Sequence, residues 1–351
     1  MVTYQSCMQE GIRPIVVIGA SAGGVQALSE LVRQVDNELP AAYFAVLHLG
    51  AANVNSNLPQ VISRSSNLPV RFAQDKEPIQ PRTICLAPPD RHLIIQEQYS
   101  RLMYGPRENW SRPAIDPLFR SAAVSYRSCV VGVVLTGMLD DGSTGISAVK
   151  RCGGLAVVQD PTDAQYPDMP ESALIHVKAD YCVPLSEIGA ALRAAVHTPP
   201  DGSVEVPEDL QLETRLWQKH LQEEAVSEED VVEVPTPGKP ISIGCPSCGG
   251  PMWEISGNGP LRYHCEIGHR YTAKYLLETM DENAEESLWV ALRLFQDRAR
   301  MHRRFAHKER DAGRPKSAQV SEERAKEAAT HAEHIMGLLK GIIKSGDLQQ
   351  K

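Results

Sequence analysis

The sequence lacks an excess of basic residues, a long apolar run and a leader-like start. Its 351 residues include 36 basic and 44 acidic ones, for a formal charge of −8, so no overall basic field favours nucleic acid or anionic lipid. No apolar stretch approaches the roughly 20 residues that cross a bilayer. The first residues, MVTYQSCMQEGIRP, lack the basic start and apolar core of a secretory signal. We therefore expect a cytoplasmic protein that neither binds nucleic acid nor inserts into a membrane.

From Pro14 to about His197, apolar strands alternate with amphipathic helical stretches and short loops. This pattern is typical of a mostly parallel sheet with helices on both faces. The predicted fold class is therefore α/β with a doubly wound sheet, whose sites lie beyond the carboxyl ends of the strands. The expected strands are Ile15–Ile18, Tyr43–His48, Val70–Phe72, Thr83–Leu86, His92–Ile95 in a hairpin with Arg101–Tyr104, Val130–Leu135 and Leu155–Gln159, and the expected helices are Val25–Val35, Asn57–Arg64, Ile115–Ser125, Gly145–Cys152 and Leu185–Ala195.

The first strand runs into a turn of small residues, Gly19-Ala20-Ser21-Ala22-Gly23. This turn fits the G-x-S-x-G pattern, in which glycines allow a sharp bend that exposes the serine hydroxyl above the sheet. Ser21 is therefore a candidate nucleophile. The alternative is a glycine-rich nucleotide-binding turn, but that fingerprint requires glycine at the position of Ser21.

A serine needs a base and a group that orients the base, and two residues of suitable chemistry follow other predicted strands. His48 ends the strand AAYFAVLH, and Asp141 lies in the turn GMLDDG after VVGVVLT. Because the carboxyl ends of neighbouring parallel strands share one crevice, Ser21, His48 and Asp141 are expected to converge there. Taken singly, a histidine that closes a strand is more often a structural residue, and an Asp-Asp-Gly segment is more often a simple turn.

Composition divides the chain into five parts. Residues 201–239 hold eleven acidic and three basic residues together with several prolines, which is typical of a solvated linker. A short helix within Pro207–Ala225 is compatible with its leucines. The predicted parts are an N-terminal tail (1–13), a catalytic domain (14–197), the acidic linker (198–240), a zinc ribbon (241–273) and a helical hairpin (274–351).

The zinc prediction rests on cysteine and histidine spacing. Cys245-x-x-Cys248 and Cys265-x-x-x-His269 have the spacing of a small ribbon in which two turns supply four ligands. His264 is an alternative to His269, although a histidine adjacent to Cys265 is awkward in a tetrahedral site. Four protein ligands favour a structural metal, because catalytic zinc keeps one position open. The other cysteines are expected to be ordinary thiols: Cys7, Cys85, Cys129, Cys152 and Cys182.

The last part repeats apolar residues at a spacing of three to four, first over Leu277–Phe305 and again over Ala325–Ile342. This periodicity predicts two amphipathic helices joined near Ala312–Lys316. Charges of both signs are mixed along the helices, as on the solvated face of a coiled coil. We expect this hairpin to bind a partner helix or a second copy of the chain.

Six blocks, in order, carry a resemblance to a known family. VVIGASAGGVQAL, VLHLG, APPDRHLII, RPAIDPLFRSAA, VVLTGMLDDGSTGISAVK and VVQDPTDAQYPDMPESAL closely resemble the catalytic domain of chemotaxis-type protein-glutamate methylesterases, the CheB family. The resemblance covers about Pro14 to Val196. It implies a carboxylic ester hydrolase that removes methyl groups from methylated glutamates of chemoreceptors and deamidates receptor glutamines.

The resemblance also implies residue roles. Ser21 matches the nucleophile, His48 the general base and Asp141 the carboxylate that orients the histidine, while backbone N–H groups near Ala22 and at Met138 hold the oxyanion. It implies no cofactor for catalysis, so zinc is expected in a structural role only.

Three departures from the family pattern bear on these expectations. Leu139 follows Gly137-Met138 where the family has glycine, and a leucine there strains the turn if the position requires a positive φ. Leu49-Gly50 replaces methionine-proline after the histidine. The phosphorylatable receiver domain of the best-known enzymes is expected to be missing, so regulation would come from the C-terminal parts or from a partner. The alternatives are a non-catalytic receptor-binding adaptor and a hydrolase of some other carboxylic ester.

Overall fold

The structure is a computed structural model that describes residues 14–35, 37–48, 57–198, 203–211, 213–214, 238–255 and 260–349. The chain separates into two units, Met1–Leu276 and Leu277–Lys351. In the part of the chain that is described, none of the helices combines the length and the apolar character needed to cross a membrane. The predicted tail 1–13, Cys7, Leu49-Gly50 and most of the acidic segment lie outside these residues.

A seven-stranded sheet forms the centre of the first unit. Every neighbouring pair in this sheet is parallel, as the alternating pattern of the sequence predicts. The central strands are apolar throughout because helices cover both of their faces. In spatial order the strands are β10 (Tyr181–Val183), β9 (Leu155–Gln159), β8 (Val130–Val134), β1 (Ile15–Ala20), β2 (Ala42–Leu47), β5 (Ile84–Leu86) and β3 (Val70–Phe72).

Helices bury one apolar core on each face of this sheet, and the doubly wound α/β fold is confirmed. One core takes residues from α1 (Gly24–Gln34), α2 (Leu58–Ser63) and α6 (Ile188–His197). The other core takes residues from α3 (Ile115–Tyr126), α4 (Ser143–Arg151) and α5 (Asp168–His176). The predicted hairpin is β6 (His92–Gln96) with β7 (Tyr99–Met103), joined at its edge by β4 (Glu77–Pro78).

Two elements of the seven-stranded sheet and its helical layers were absent from the sequence-based prediction, α5 and β10. Only Met169, Pro170, Ser172 and Ala173 of α5 are buried, so the helix shows no clear apolar stripe and carries a proline in its first turn. Strand β10 is a three-residue edge strand in which Cys182 is exposed. Neither element has the periodicity from which the other elements were predicted.

Part of the predicted solvated linker is buried. Residues 208–211 and 213–214 are helical, Leu210 joins the core beside α3, and the side chain of Glu213 is 3% exposed. Three arginines surround the Glu213 carboxylate, which compensates its burial and holds the pKa of Glu213 at about 2, against the opposing effect of that burial. The expectation of solvation is wrong for these residues because the charge has partners distant in sequence.

A second, antiparallel sheet follows in the same unit, and two long helices make up the remainder of the chain. The sheet has the order β11 (Lys239–Gly244), β12 (Pro251–Ile255), β13 (Arg262–Cys265) and β14 (Arg270–Thr272). The helices are α7 (Ala273–Asp311) and α8 (Pro315–Gln349). Within the second unit Leu292, Ala332 and Leu339 form the buried contact of α7 with α8. The boundaries of the five predicted parts stay predictions.

Candidate active site

Ser21 follows β1 directly, in a turn that two glycines make possible. Its backbone N–H donates to the carbonyl oxygen of Thr136 at 3.0 Å, and its own carbonyl accepts from Gly24 at 2.8 Å. Gly23 has a φ of 73°, a left-handed conformation that glycine adopts without steric cost. A Cβ on Gly137 would lie 2.9 Å from the Cβ of Ser21. Glycine at 137 therefore lets the loop after β8 approach the candidate nucleophile.

The register of β1 with β2 places His48 beside this serine. Ala20 pairs with Leu47 in the parallel ladder, and the backbone N–H of His48 donates to the carbonyl oxygen of Ala20 at 3.2 Å. Ser21 and His48 are thus the next residues of two adjacent strands, beyond their carboxyl ends. This is the position that the strand alternation predicts for a site.

Asp141 contacts the same histidine. The Nε2 atom of His48 lies 2.7 Å from Oδ2 of Asp141, and the carboxylate is completely buried. Four further N–H donors surround the two carboxylate oxygens: the backbone of Ile115 at 2.7 Å, of Gly142 at 3.0 Å and of Asp116 at 3.3 Å, and Nδ2 of Asn109 at 2.9 Å. The aspartate is therefore held in a single orientation.

These donors decide the charge of Asp141. Burial alone would raise the pKa of this carboxyl, but the hydrogen bond and charge of His48 and the N–H donors outweigh burial and lower the pKa. Asp116 shows the opposite result: its burial, together with the nearby charge of Asp141, raises its pKa well above the ordinary value. Of the two neighbouring carboxyls, Asp141 beside the imidazole is therefore the one whose surroundings favour the charged form.

The same contact sets the tautomer of His48. A carboxylate only accepts hydrogen bonds, so His48 donates through Nε2–H and keeps a lone pair on Nδ1. The ring nitrogen available to take a proton from the Ser21 hydroxyl is accordingly Nδ1.

Two backbone N–H groups beside Ser21 are available for an anionic oxygen. Neither Ala22 nor Met138 donates its backbone N–H to an acceptor within the described residues, and Met138 is 46% exposed. Thr136 lies in the same loop as Met138 and connects it to the loop of Ala22, since its Oγ1 lies 3.2 Å from the Ala22 carbonyl oxygen. The same Oγ1 lies 3.2 Å from the carbonyl oxygen of Tyr166. The next residue, Leu139, has a φ of 62°, so the turn does require the positive φ on which the predicted strain depends.

A second cluster has the donors of a metal site. Cys245, Cys248, Cys265 and His269 place one ligand atom each within 4.8 Å of one another. The Cys248 and Cys265 sulfurs are 3.8 Å apart, and the Cys265 sulfur is 3.4 Å from Nδ1 of His269. A tetrahedron with Zn–S bonds of about 2.3 Å and Zn–N bonds of about 2.0 Å has edges of roughly 3.5 to 3.8 Å, so the donor types and these two separations suit zinc.

His264 lies outside this cluster. Its ring stacks on Trp253 with centroids 5.7 Å apart, and the four ligand atoms include His269 instead. Positive φ values at Gly249 and Gly268 shape the two ligand-bearing turns. The predicted ligand set is thus brought together by two glycine turns, while the nature of any bound metal stays a prediction.

His92 supports the aspartate from a distance. Its Nε2 lies 3.0 Å from the carbonyl oxygen of Pro106 and its Nδ1 accepts from the backbone N–H of Ala114 at 3.2 Å. Ala114 precedes Ile115, whose N–H donates to Asp141. The fully buried imidazole is neutral because burial lowers its pKa to about 4.

This histidine makes folding stability depend on pH. The unfolded chain binds a proton at His92 near pH 6.5, but the folded chain binds it only near pH 4. The free energy of unfolding therefore falls as pH drops from about 6.5 to about 4, and the contribution of His92 is fully present above pH 6.5. The shift corresponds to up to about 3 kcal/mol. We expect chemical unfolding between pH 4 and 7 to show this loss, and His92→Gln, which keeps an Nε2 donor but does not titrate, to flatten it. An unchanged pH slope in that variant would assign the loss to other groups.

Three residues of this region were not predicted from the sequence: Asn109, Asp116 and Thr272. Nδ2 of Asn109 donates to Asp141 and to Asp116, the latter at 3.1 Å, and its Oδ1 accepts from the backbone N–H of Thr272 at 3.0 Å. Asp116 lies within the block RPAIDPLFRSAA, whose resemblance could have marked it. No sequence signal links Asn109 or Thr272 to the site.

Comparisons with known proteins agree with the predicted family. The model of the family described as CheB methylesterase matches residues 16–192, about half of the chain. A putative protein-glutamate methylesterase/protein-glutamine glutaminase of Leptospira interrogans is 36% identical over 49% of this chain and 90% of its own length. The protein-glutamate methylesterase/protein-glutamine glutaminase 2 of Anaeromyxobacter dehalogenans is 36% identical over 51% of this chain.

Coverage differs among these relatives. The match spans about half the length of the Anaeromyxobacter protein, 52%. The crystal structure of the Thermotoga maritima CheB methylesterase catalytic domain is 32% identical and matches 51% of this chain with a TM-score of 0.49. The antiparallel sheet, its cysteine cluster and the two long helices lie beyond the residues that the family model matches.

Proposed function

This chain belongs to the CheB methylesterase family, and we propose that it is a serine hydrolase of methylated glutamates on chemoreceptor-type proteins, with deamidation of receptor glutamines as a second reaction. The observation that carries the proposal is the 2.7 Å contact between His48 and buried Asp141, with Ser21 on the adjacent strand end. A buried carboxylate that orients a histidine next to a serine is the arrangement that activates a hydroxyl.

The acylation step follows from the assigned tautomer. Ser21 Oγ attacks the ester carbonyl carbon while Nδ1 of His48 takes the hydroxyl proton, and Asp141 stabilises the resulting imidazolium. The carbonyl oxygen becomes negative and accepts hydrogen bonds from the N–H groups of Ala22 and Met138. When the C–O bond to the methoxy group breaks, His48 returns the proton and methanol leaves. A glutamine side chain loses ammonia in the same way.

Deacylation reverses the roles. Water attacks the acyl-serine carbon as His48 takes its proton, and the bond to Ser21 Oγ then breaks as the serine regains a proton. The product is a glutamate carboxylate. Each group used in these steps belongs to the chain, to the substrate or to water.

We propose zinc for the cysteine cluster, in a structural role. Cys245, Cys248, Cys265 and His269 supply all four positions of a tetrahedron, which leaves none for a substrate. Bound zinc would supply folding free energy, because so small a sheet has little core of its own. The core around this cluster contains Met252, Tyr271, Tyr275 and Leu276 besides two of the cysteines.

We propose the helical hairpin as a surface for a partner helix or a second copy of the chain. Within this unit α7 exposes Trp289, Val290, Leu294 and Phe305, and exposed apolar patches mark interaction surfaces. This exposed face favours contact with the receptor through protein surfaces. From the charge and the composition we further propose that the protein is cytoplasmic.

The proposed activity is tested by incubating the chain with receptor membranes carrying labelled methyl groups. We expect the wild type to release labelled methanol and the matched Ser21→Ala variant to release none. If the protein hydrolyses generic esters but releases no methanol from methylated receptors, its substrate is another carboxylic ester. If neither protein releases methanol while both still bind the receptor, the chain is a receptor-binding adaptor instead.

A further inference from the structure

The antiparallel sheet β11–β14, called the ribbon below, contacts the acidic turn of the active site through its last strand. Oγ1 of Thr272 donates to Oδ1 of Asp140 at 2.7 Å, and the Thr272 backbone N–H donates to Oδ1 of Asn109 at 3.0 Å. The backbone N–H of Asn109 in turn donates to the carbonyl oxygen of Arg270 at 2.9 Å. Asn109 is 1% exposed and Thr272 is 2% exposed. Strand β14 therefore fixes Asn109, which donates to Asp141, and Asp140, which precedes Asp141 in the sequence.

Leu139 makes the apolar part of this contact. Its side chain packs against the core that surrounds the cysteine cluster, with Cys245, Cys265 and Tyr271 among its members. A leucine at a φ of 62° costs roughly 1 to 2 kcal/mol relative to an ordinary conformation. Packing against the ribbon offsets this cost, so the strained turn is held in place from the ribbon side.

Buried charges fix the ribbon itself to the catalytic domain. The Glu213 carboxylate lies 2.9 Å from Arg262 and from Arg270 of the ribbon and 3.4 Å from Nε of Arg120 on α3. Arg120 also forms a bidentate pair with Glu108 at 2.7 Å. Breaking one partner of such a buried network is costly, so the contact is part of the fold rather than a chance approach of two surfaces.

We infer that the metal-binding ribbon positions the catalytic turn, and that Leu139, Thr272 and Asn109 are the positioning residues through which metal loading governs hydrolysis. The segment that they hold runs from Met138, a candidate oxyanion donor, to Asp141, which orients His48. A displacement of about 1 Å in such a segment can cost 100-fold in rate. This inference rests on the proposed function for its rate readout, but the placement of His48 and the reactivity of Ser21 can be followed without that substrate.

The first test removes one contact and leaves the metal in place. Thr272→Val deletes the hydroxyl at constant size, and we expect kcat to fall 10- to 100-fold with KM within about twofold and an unchanged zinc content. Thr272→Ser keeps the hydroxyl and should restore the rate. Thr198→Val, at an exposed hydroxyl after α6, is the matched control. A fall in kcat that only matches a fall in the folded fraction, and that serine does not restore, would reduce Thr272 to a structural residue.

Leu139→Gly separates strain from positioning. Glycine removes the strain at φ 62°, so stability should stay the same or rise, while the turn loses its contact with the ribbon core and kcat should fall at least tenfold. Ile243→Ala, an exposed change on β11, should affect neither quantity. Leu139→Gly with undiminished kcat would overturn the role assigned to the leucine.

The second test withdraws and restores zinc in the full chain. We follow the rate at which an organophosphonate labels Ser21 and the imidazole Nε2–H proton resonance of His48, with zinc content measured on the same samples. On chelation the labelling should slow at least tenfold and the resonance should broaden, and both should recover with Zn²⁺. If neither the labelling rate nor the resonance changes when zinc is removed, the inference is refuted, even if the zinc-loaded protein releases methanol. A loaded protein that releases no methanol but responds in both readouts would refute only the proposed substrate.

Discussion

Ser21→Ala is expected to lower kcat for methyl-ester hydrolysis by about 10⁶-fold, the size of effect seen when a triad serine is removed from other hydrolases. In the proposed mechanism the serine oxygen forms the covalent intermediate, so its loss removes the acyl-enzyme path altogether. Substrate contacts do not involve this bond, and receptor affinity should stay within a few-fold. Methanol release and receptor binding, measured on the same preparations, check both parts.

Ser29→Ala is the matched control for this prediction. Ser29 lies on α1, and its hydroxyl donates to the carbonyl oxygen of Val25 at 2.7 Å within the helix. Its removal should leave kcat within about twofold, because an exchange of Ser for Ala on a helix changes little beyond local propensity. If Ser21→Ala kept more than a hundredth of wild-type activity, another nucleophile would have to be sought.

The strand-end residues could be predicted from sequence because parallel strands constrain where their ends lie. Buried apolar runs predicted the strands β1, β2 and β8, and the parallel register then carries Ser21 and His48 to one edge. The cluster of Cys245, Cys248, Cys265 and His269 could also be predicted from sequence, since it depends on two local turns. In both cases a local pattern predicts the strand end or turn that carries each side chain.

The rest of the site depends on contacts between distant segments. Asn109 and Thr272 are separated by 163 positions, and neither type of residue is diagnostic of catalysis. Glu213 looked solvated because its arginine partners are up to 93 residues away, as with Arg120. Within a short stretch of sequence, a charged or amide residue is assigned to the surface. Only the tertiary structure shows the partner that compensates its burial.

Leu139 illustrates a prediction that was conditional on geometry. Sequence comparison within the resemblance indicated strain only if the position has a positive φ, and the structure gives 62°. The compensating contact with the ribbon core lay beyond sequence reasoning, because it joins the catalytic domain to a part of the chain outside the matched family region. Strain and compensation thus arise from different segments.

The second large effect is expected from Asp141→Asn, which should lower kcat by about 10⁴-fold. An amide nitrogen facing Nε2 would donate rather than accept, so His48 would move its proton to Nδ1 and lose the lone pair that takes the serine proton. The amide would also leave some of the N–H donors of Ile115, Gly142 and Asn109 without a charged acceptor. The imidazolium formed during acylation would lose its counter-charge.

Asp160→Asn provides the comparison for this variant, because Asp160 follows β9 at the same edge of the sheet and, among the described residues, its carboxylate accepts only from Thr162 of its own turn. It should retain nearly full activity. For Asp141→Asn, kcat should fall while zinc content and receptor binding persist, and the Nε2–H resonance of His48 should disappear as the proton moves to the other nitrogen. An Asp141→Asn protein that kept both that resonance and the wild-type rate would show that Asp141 only packs beside His48, and the general base would then need another source of orientation.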